Sequence, residues 1–169
     1  GALKLIGIYW SSPTAFTQGS QKGVFKSEIQ EKQNHFLQNI KLDNKKCICI
    51  GLTYLQTAIA LIKNHSCSCL FFNINSTLES EKYSIKIIKE DITKENVCEI
   101  IKSNYFDGSI EVLCFGINDS DILKRMIVDS IIVNPKIIMC CPKNESFLRE
   151  RYDLVDKKTG VFIRKDQVS

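Results

Sequence analysis

The residues whose types best suit chemistry lie at one corner of the chain, FDGSIEVLCFGINDSDILKRM, residues 106–126. Residues 110–115 are nearly all apolar and predict a buried strand. The strand runs into Gly116-Ile117-Asn118-Asp119-Ser120-Asp121, after which the spacing becomes helical. A glycine, an amide and two carboxylates at the end of a strand are the parts of a polar pocket. The glycine lets a ligand approach the backbone, and the Asn and Asp side chains accept its hydrogen bonds. The same types also suit a structural use, because Asp119, Ser120 and Asp121 are all N-cap residues for the helix that follows.

Eight cysteines are the second chemical feature: Cys47, Cys49, Cys67, Cys69, Cys98, Cys114, Cys140 and Cys141. Cys47/Cys49 and Cys67/Cys69 each fall two apart in apolar runs, so each pair shares one face of a strand. Zinc sites instead place their sulfurs on turns at wider spacing. The expectation is therefore no bound metal and free, mostly buried thiols acting as small hydrophobes in a reducing, cytoplasmic setting. His35 sits in a polar helical segment and His65 in a loop after a helix, and neither has a nucleophile motif nearby. Both are expected at the surface, without a catalytic role. Tyr9 and Trp10 border a polar loop, where they suit either an aromatic anchor for a partner or a cap on the core.

The composition bounds what these residues can do. At 169 residues, 44% hydrophobic and 25% charged, the chain can build a sizeable core. No apolar run approaches the roughly 20 residues that span a bilayer, so no membrane association is expected. The formal charge is +4, but the lysines are scattered among acids, with only the short pairs Lys45-Lys46 and Lys157-Lys158. Sequence spacing thus shows no basic stripe for nucleic acid. Gly1-Ala2, with no initiator Met, resembles an expression scar or the start of an excised domain.

Elements alternate along the chain. Residues 3–10 predict a strand, residues 11–23 a polar loop, and Ser27 the N-cap of a helix with Ile29, Phe36, Leu37 and Ile40 on one stripe. From residue 45, strands over 45–52, 67–74, 84–88, 110–115 and 136–141 alternate with helices over 53–64, 93–103 and 120–131. A short helix over 146–151 precedes two final strands around Lys157-Lys158-Thr159-Gly160, a hairpin signal. Strands apolar on both faces, separated by helices, predict an α/β fold with a mostly parallel sheet covered on two sides. The one-face alternation of residues 151–166 places an antiparallel hairpin at one edge. The expected division is an extension over 1–44 and a Rossmann-like domain over 45–169.

The ordered series from about residue 45 to 166 resembles the FkbM-type methyltransferases. Thr93, Glu95, Asn96 and Val97 are similar to the opening of that family's T-x-E-N-I-N segment. Gly108, Ile110, Glu111, Val112 and Leu113 continue it, and Asp121 matches the last acid of its I-D-I-D-G-N-D-Y stretch. Pro135-Lys136-Ile137-Ile138 and the tail YDLVDKKTGVFIRKD match the later strand and the closing Y-x-L-V…F-V-R-K-D. The resemblance implies a methyltransferase fold and an S-adenosylmethionine pocket at the strand ends. It also marks departures. Cys49 stands where the first strand should end in Asp, Leu55 where a second glycine belongs, and Asn73 where an acid should hold ribose hydroxyls. Gly116 and Asn118 replace two acids of the corner, and Cys141 the Glu after the fifth strand. The segment between the second and third strands, residues 75–83, is short for the helix that normally lies there.

The resulting expectation is a catalytically degenerate methyltransferase-like domain. Gly51, Asn73, Asn118, Asp119 and Asp121 are what remains of its pocket. No catalytic residue and no cofactor are expected, and the partner expected is another protein. Two alternatives stand beside this reading. One is an active enzyme using S-adenosylmethionine in an atypical pocket. The other is a module binding nucleic acid or a nucleotide through basic loops.

Overall fold

The computed structural model describes residues 20–72, 86–88, 90–104, 110–129, 133–156 and 158–165. Seven strands form one sheet: β1 Lys46–Ile50, β2 Ser68–Phe72, β3 Lys86–Ile88, β4 Val112–Phe115, β5 Ile137–Cys140, β6 Tyr152–Asp156 and β7 Val161–Arg164. Their order is β3-β2-β1-β4-β5-β7-β6. The first five strands are parallel, and β7 and β6 add antiparallel to β5 as the edge hairpin. β1 and β4 lie inside the sheet and the hairpin at its edge, as the both-face apolarity of residues 47–50 and 110–114 predicts. Every residue of β4 and β5, and all but the first of β1 and β2, is buried.

Helices cover both faces, which is why those strands need no polar side. On one face lie α1 Ser20–Gln38 and α2 Leu55–His65. Ile29, Leu37, Leu55, Ala58 and Leu61 from these helices pack against Cys47, Cys49, Phe71, Cys114 and Met139. On the other face lie α3 Val97–Asn104 and α4 Ser120–Lys124, with α5 Glu145–Leu148 beside them. Val97, Ile101, Leu123 and Leu148 pack there against Ile48, Leu70, Phe115 and Ile138. Strand order reverses direction between β1 and β4, the place where open α/β sheets present a crevice at the carboxyl ends of their strands. Among the described residues no helix is long and apolar enough to cross a membrane.

Three local expectations are corrected. The helix expected to begin at the N-cap Ser27 begins at Ser20, so the predicted loop ends earlier and Ser27 lies within α1. Its first turn, Ser20-Gln21-Lys22-Gly23, is polar and ends in glycine, so it carries no stripe to announce a helix. The predicted helix over 120–131 keeps α-helical hydrogen bonding only to Lys124, then widens into a π-helical turn over Arg125–Asp129. Met126 and Ile127 in that turn are fully buried. The helix expected from Thr93 starts at Val97, and Thr93 to Asn96 form its entry turn. There Asn96 N donates to Thr93 Oγ1 at 3.2 Å and Thr93 N to Asn96 Oδ1 at 2.7 Å, the reciprocal bonds of a capping box. The predicted strand over residues 3–10, with Tyr9 and Trp10, lies outside the described residues.

Candidate functional site

The carboxyl ends of β1 and β4 meet side by side. Ile50 pairs with Phe115, and a glycine follows each strand. Gly51 N donates to Phe72 O at 2.9 Å, and Gly116 N to Ile50 O at 2.8 Å, so three strand ends are tied together. Gly51 has φ 96° and ψ 148°, a conformation open to glycine and strained for other residues. A Cβ there would lie 2.9 Å from Gly116 O and 3.2 Å from Ile117 Cγ2. A Cβ on Gly116 would lie 2.9 Å from the Tyr54 ring. The missing side chains of both glycines are thus filled by the protein itself, Gly51 by the turn after β4 and Gly116 by Tyr54.

Tyr54 is fully buried on the α1 side of the sheet. Its hydroxyl donates to Gln33 Oε1 at 3.0 Å, and Gln33 Nε2 donates to Thr159 O at 2.7 Å. Gln30 Nε2 donates to Thr53 O. Two buried glutamines of α1 therefore tie the turn after β1 to the hairpin turn. Burial pushes the Tyr54 phenol well above its ordinary value, so it stays a neutral donor. Tyr54→Phe would leave Gln33 Oε1 without its donor and is expected to cost about 1–2 kcal/mol. The check is a urea unfolding curve, where the midpoint should fall at an unchanged slope. An unchanged midpoint would show that the glutamine finds another donor. Leu55, which stands where the resemblance expects a second glycine, is fully buried in the core with Tyr54 and Ala58.

The loops after β4 and β5 are joined above this floor. Ser120 Oγ donates to Asn144 Oδ1 at 2.7 Å, and Lys143 Nζ donates to the exposed Asn118 Oδ1. Asp119 is the N-cap of α4: its Oδ1 accepts from Asp121 N at 3.2 Å. Asp121 is exposed in the first turn of that helix. Gly51 and the 116–121 corner are thus at the same end of the sheet, as expected, with Asp119 used as a cap. Asn73 follows β2 but lies outside the described residues. Sequence reasoning missed Tyr54, Gln33, Lys143 and Asn144. The one available signal was the polar Pro142-Lys143-Asn144 turn directly after a buried strand.

Behind the mouth lies a layer of thiols. Register places Cys47 opposite Cys69 and Cys49 opposite Cys114, and all four share one face with Cys67. The Cys69 thiol donates to Cys49 Sγ at 3.8 Å, and that of Cys67 to Leu42 O at 3.2 Å. Hydrogen bonding to Cys67, with burial, raises the Cys47 thiol, while the same contact lowers Cys67. Hydrogen bonding to Cys114, with burial, raises Cys49 well above its ordinary value. None of the eight cysteines forms a disulfide, and all but the half-buried Cys141 are buried, as expected from their apolar settings. Among the described residues no group of three or more His, Cys, Asp or Glu is placed to hold a metal ion.

Both histidines lie away from the mouth. His35 is exposed on α1, whereas His65, expected in a surface loop, is instead the last residue of α2 and half-buried, with Nδ1 3.8 Å from Asp43. His35 lines a groove of about 480 Å³ between α1 and the hairpin, beside Phe36, Val155 and Val161. Val155 is 51% exposed, the one exposed large hydrophobic side chain among the described residues.

These elements define an α/β protein of Rossmann-like construction, with a parallel sheet, two helical layers and an antiparallel edge hairpin. Compared with protein-family models, with curated proteins and with solved structures, the chain matches none.

Proposed function

We propose that this chain is a methyltransferase-like domain that does not use S-adenosylmethionine and acts by binding another protein. The strand order, five parallel strands and then an edge hairpin, supports the fold half of this reading. The observation that carries the functional half is Lys143, a cation whose ammonium donates to Asn118 at the corner after β4. S-adenosylmethionine presents a sulfonium and an ammonium, and so favours carboxylates at the strand ends. Here Cys49, Gly116, Asn118 and Cys141 stand where the resemblance expects acids, and Lys143 is bonded to one of them, Asn118. Of the two carboxylates left at the corner, Asp119 caps α4 and Asp121 is exposed in its first turn, so the residues present fit the cofactor poorly.

Each charged partner replaced by a neutral one removes about 1–2 kcal/mol, so two or three losses weaken affinity by roughly a hundredfold or more. The apolar groove between α1 and the hairpin, with Val155 exposed beside it, supports a role in protein contact. Isothermal titration of the purified chain with S-adenosylmethionine and S-adenosylhomocysteine tests the reading. No saturable heat is expected at low micromolar concentration. Binding in that range would overturn it and favour an active enzyme.

A further inference from the structure

At the amino-terminal end of β5, away from the mouth, the open end of the hairpin closes on the segment that enters the strand. Tyr152 pairs with Arg164 in the β6–β7 register, and just beyond them Lys165 N donates to Arg151 O at 2.8 Å. Arg164 N donates to Lys136 O at 2.9 Å, and the buried Tyr152 hydroxyl to Pro135 O at 2.6 Å. The backbone is therefore held from several sides. Two guanidinium groups are anchored on main-chain carbonyls as well: Arg151 Nη1 donates to Ile127 O at 2.7 Å and Arg164 Nη1 to Asn134 O at 2.6 Å. With Lys165, Glu150 and Asn134 they line a pocket of about 280 Å³.

Three cations and one carboxylate line this small cavity. Sequence spacing hides the cluster, because Arg151 and Lys165 are brought together only by the hairpin register. A guanidinium carries five N–H donors, so one bond to a carbonyl orients Arg151 without using up its fork. Such forks match the oxygens of phosphate groups in a way that a lone ammonium does not. The volume falls just below the roughly 300–1,000 Å³ of pockets that enclose a whole drug-sized ligand, which suits a head group with the rest of its molecule outside. We propose that this pocket binds the phosphate group of a small anionic ligand. It sits at the opposite ends of the strands from Gly51 and Gly116, so this binding does not depend on the function proposed above.

Calorimetric titration of the full chain with inorganic pyrophosphate at low ionic strength is the test. Saturable binding at one site is expected. It should weaken at least about tenfold when Arg151→Gln and Lys165→Gln are combined. Glu150→Gln, which removes the one carboxylate of the pocket, should tighten it. Thermal melts followed by circular dichroism show whether the variants keep the fold, and Glu150→Gln serves as the test if the double variant does not. A parallel titration with ADP separates two sources of the same chemistry. Equal affinity points to the phosphate alone, and tighter ADP binding to a nucleotide carrying it. Absence of saturable binding, variants that bind like the parent, or binding of an oligonucleotide but not of pyrophosphate would each overturn the proposal.

Discussion

Raising the pH above 9 is expected to unfold this protein cooperatively, and the cause is its buried thiols. Burial pushes the Cys140 thiol from its ordinary 9.0 up to about 12. In the unfolded chain the same thiol ionises near its ordinary value. The stability that the neutral Cys140 contributes is therefore fully present below pH 9 and is lost as the pH climbs toward 12. At full ionisation the loss is about 4 kcal/mol from this residue alone, against a typical total of about 5–15 kcal/mol. Cys47, Cys49 and Cys69 act with the same sign, each raised by hydrogen bonding to a neighbouring thiol and by burial. The bond from Cys49 lowers Cys114, but burial and the neighbouring thiols leave it raised. Cys67, lowered by its hydrogen bond with Cys47, opposes them by gaining stability as it ionises. The balance is several thiols against one. Urea unfolding under a reducing agent should show a midpoint that falls steeply above pH 9. Thiolate absorbance should rise together with loss of the far-ultraviolet signal. A midpoint that stays flat through this range would refute the account.

The thiol layer also shows what the sequence made visible. Cys47 and Cys49 lie two apart in an apolar run, which is enough to put both on one face and inside. Their neighbours were not visible. Cys114 reaches Cys49, and Cys69 faces Cys47, only through the parallel register of three strands. The fold was legible for a related reason. Runs apolar on both faces leave a strand no option but the middle of a covered sheet, and the alternating tail YDLVDKKTGVFIRKD leaves an edge hairpin. α1 was legible only in its second half. Ile29, Phe36 and Leu37 make a stripe there, while SQKGVFK before it does not.

The site was less legible, because its key contacts join residues far apart. Gly51 was identifiable as a turn glycine after a buried strand. That Gly116 and Ile117 fill the space beside it depends on β4 lying next to β1. Lys143 and Asn118 are 25 positions apart, as they belong to two different loops at the same end of the sheet. Tyr54 reads locally as one more apolar residue of GLTYL, and its partner Gln33 comes from the other side of β1 in the chain. Asp119 was legible in both of its possible roles, and the cap is the one observed.

Replacing Gly160 by alanine is expected to destabilise this protein strongly. Gly160 closes the hairpin turn with φ 63°, and a Cβ built there would lie 2.1 Å from Cys140 O. Two separate costs follow. The left-handed backbone costs an alanine about 1–2 kcal/mol. Forcing extra volume into a packed site costs about 1–3 kcal/mol more, and here the atom in the way is main chain, which cannot rotate aside. Relief requires β7 to move off β5, which would stretch the 3.1 Å bond from Cys140 N to Gly160 O. The same shift would disturb Thr159 O, the acceptor of Gln33 Nε2, and through it the link to Tyr54. The damage should therefore spread from the turn to α1. A total of about 2–5 kcal/mol lowers the melting temperature of a chain this size by roughly 5–15 °C. Lys158→Ala, at an exposed position of the same turn, is the control and should melt within about a degree of the parent. Thermal melts of the two variants decide the matter. If Gly160→Ala melts with its parent, β7 does not approach β5 as closely as the contact with Cys140 requires.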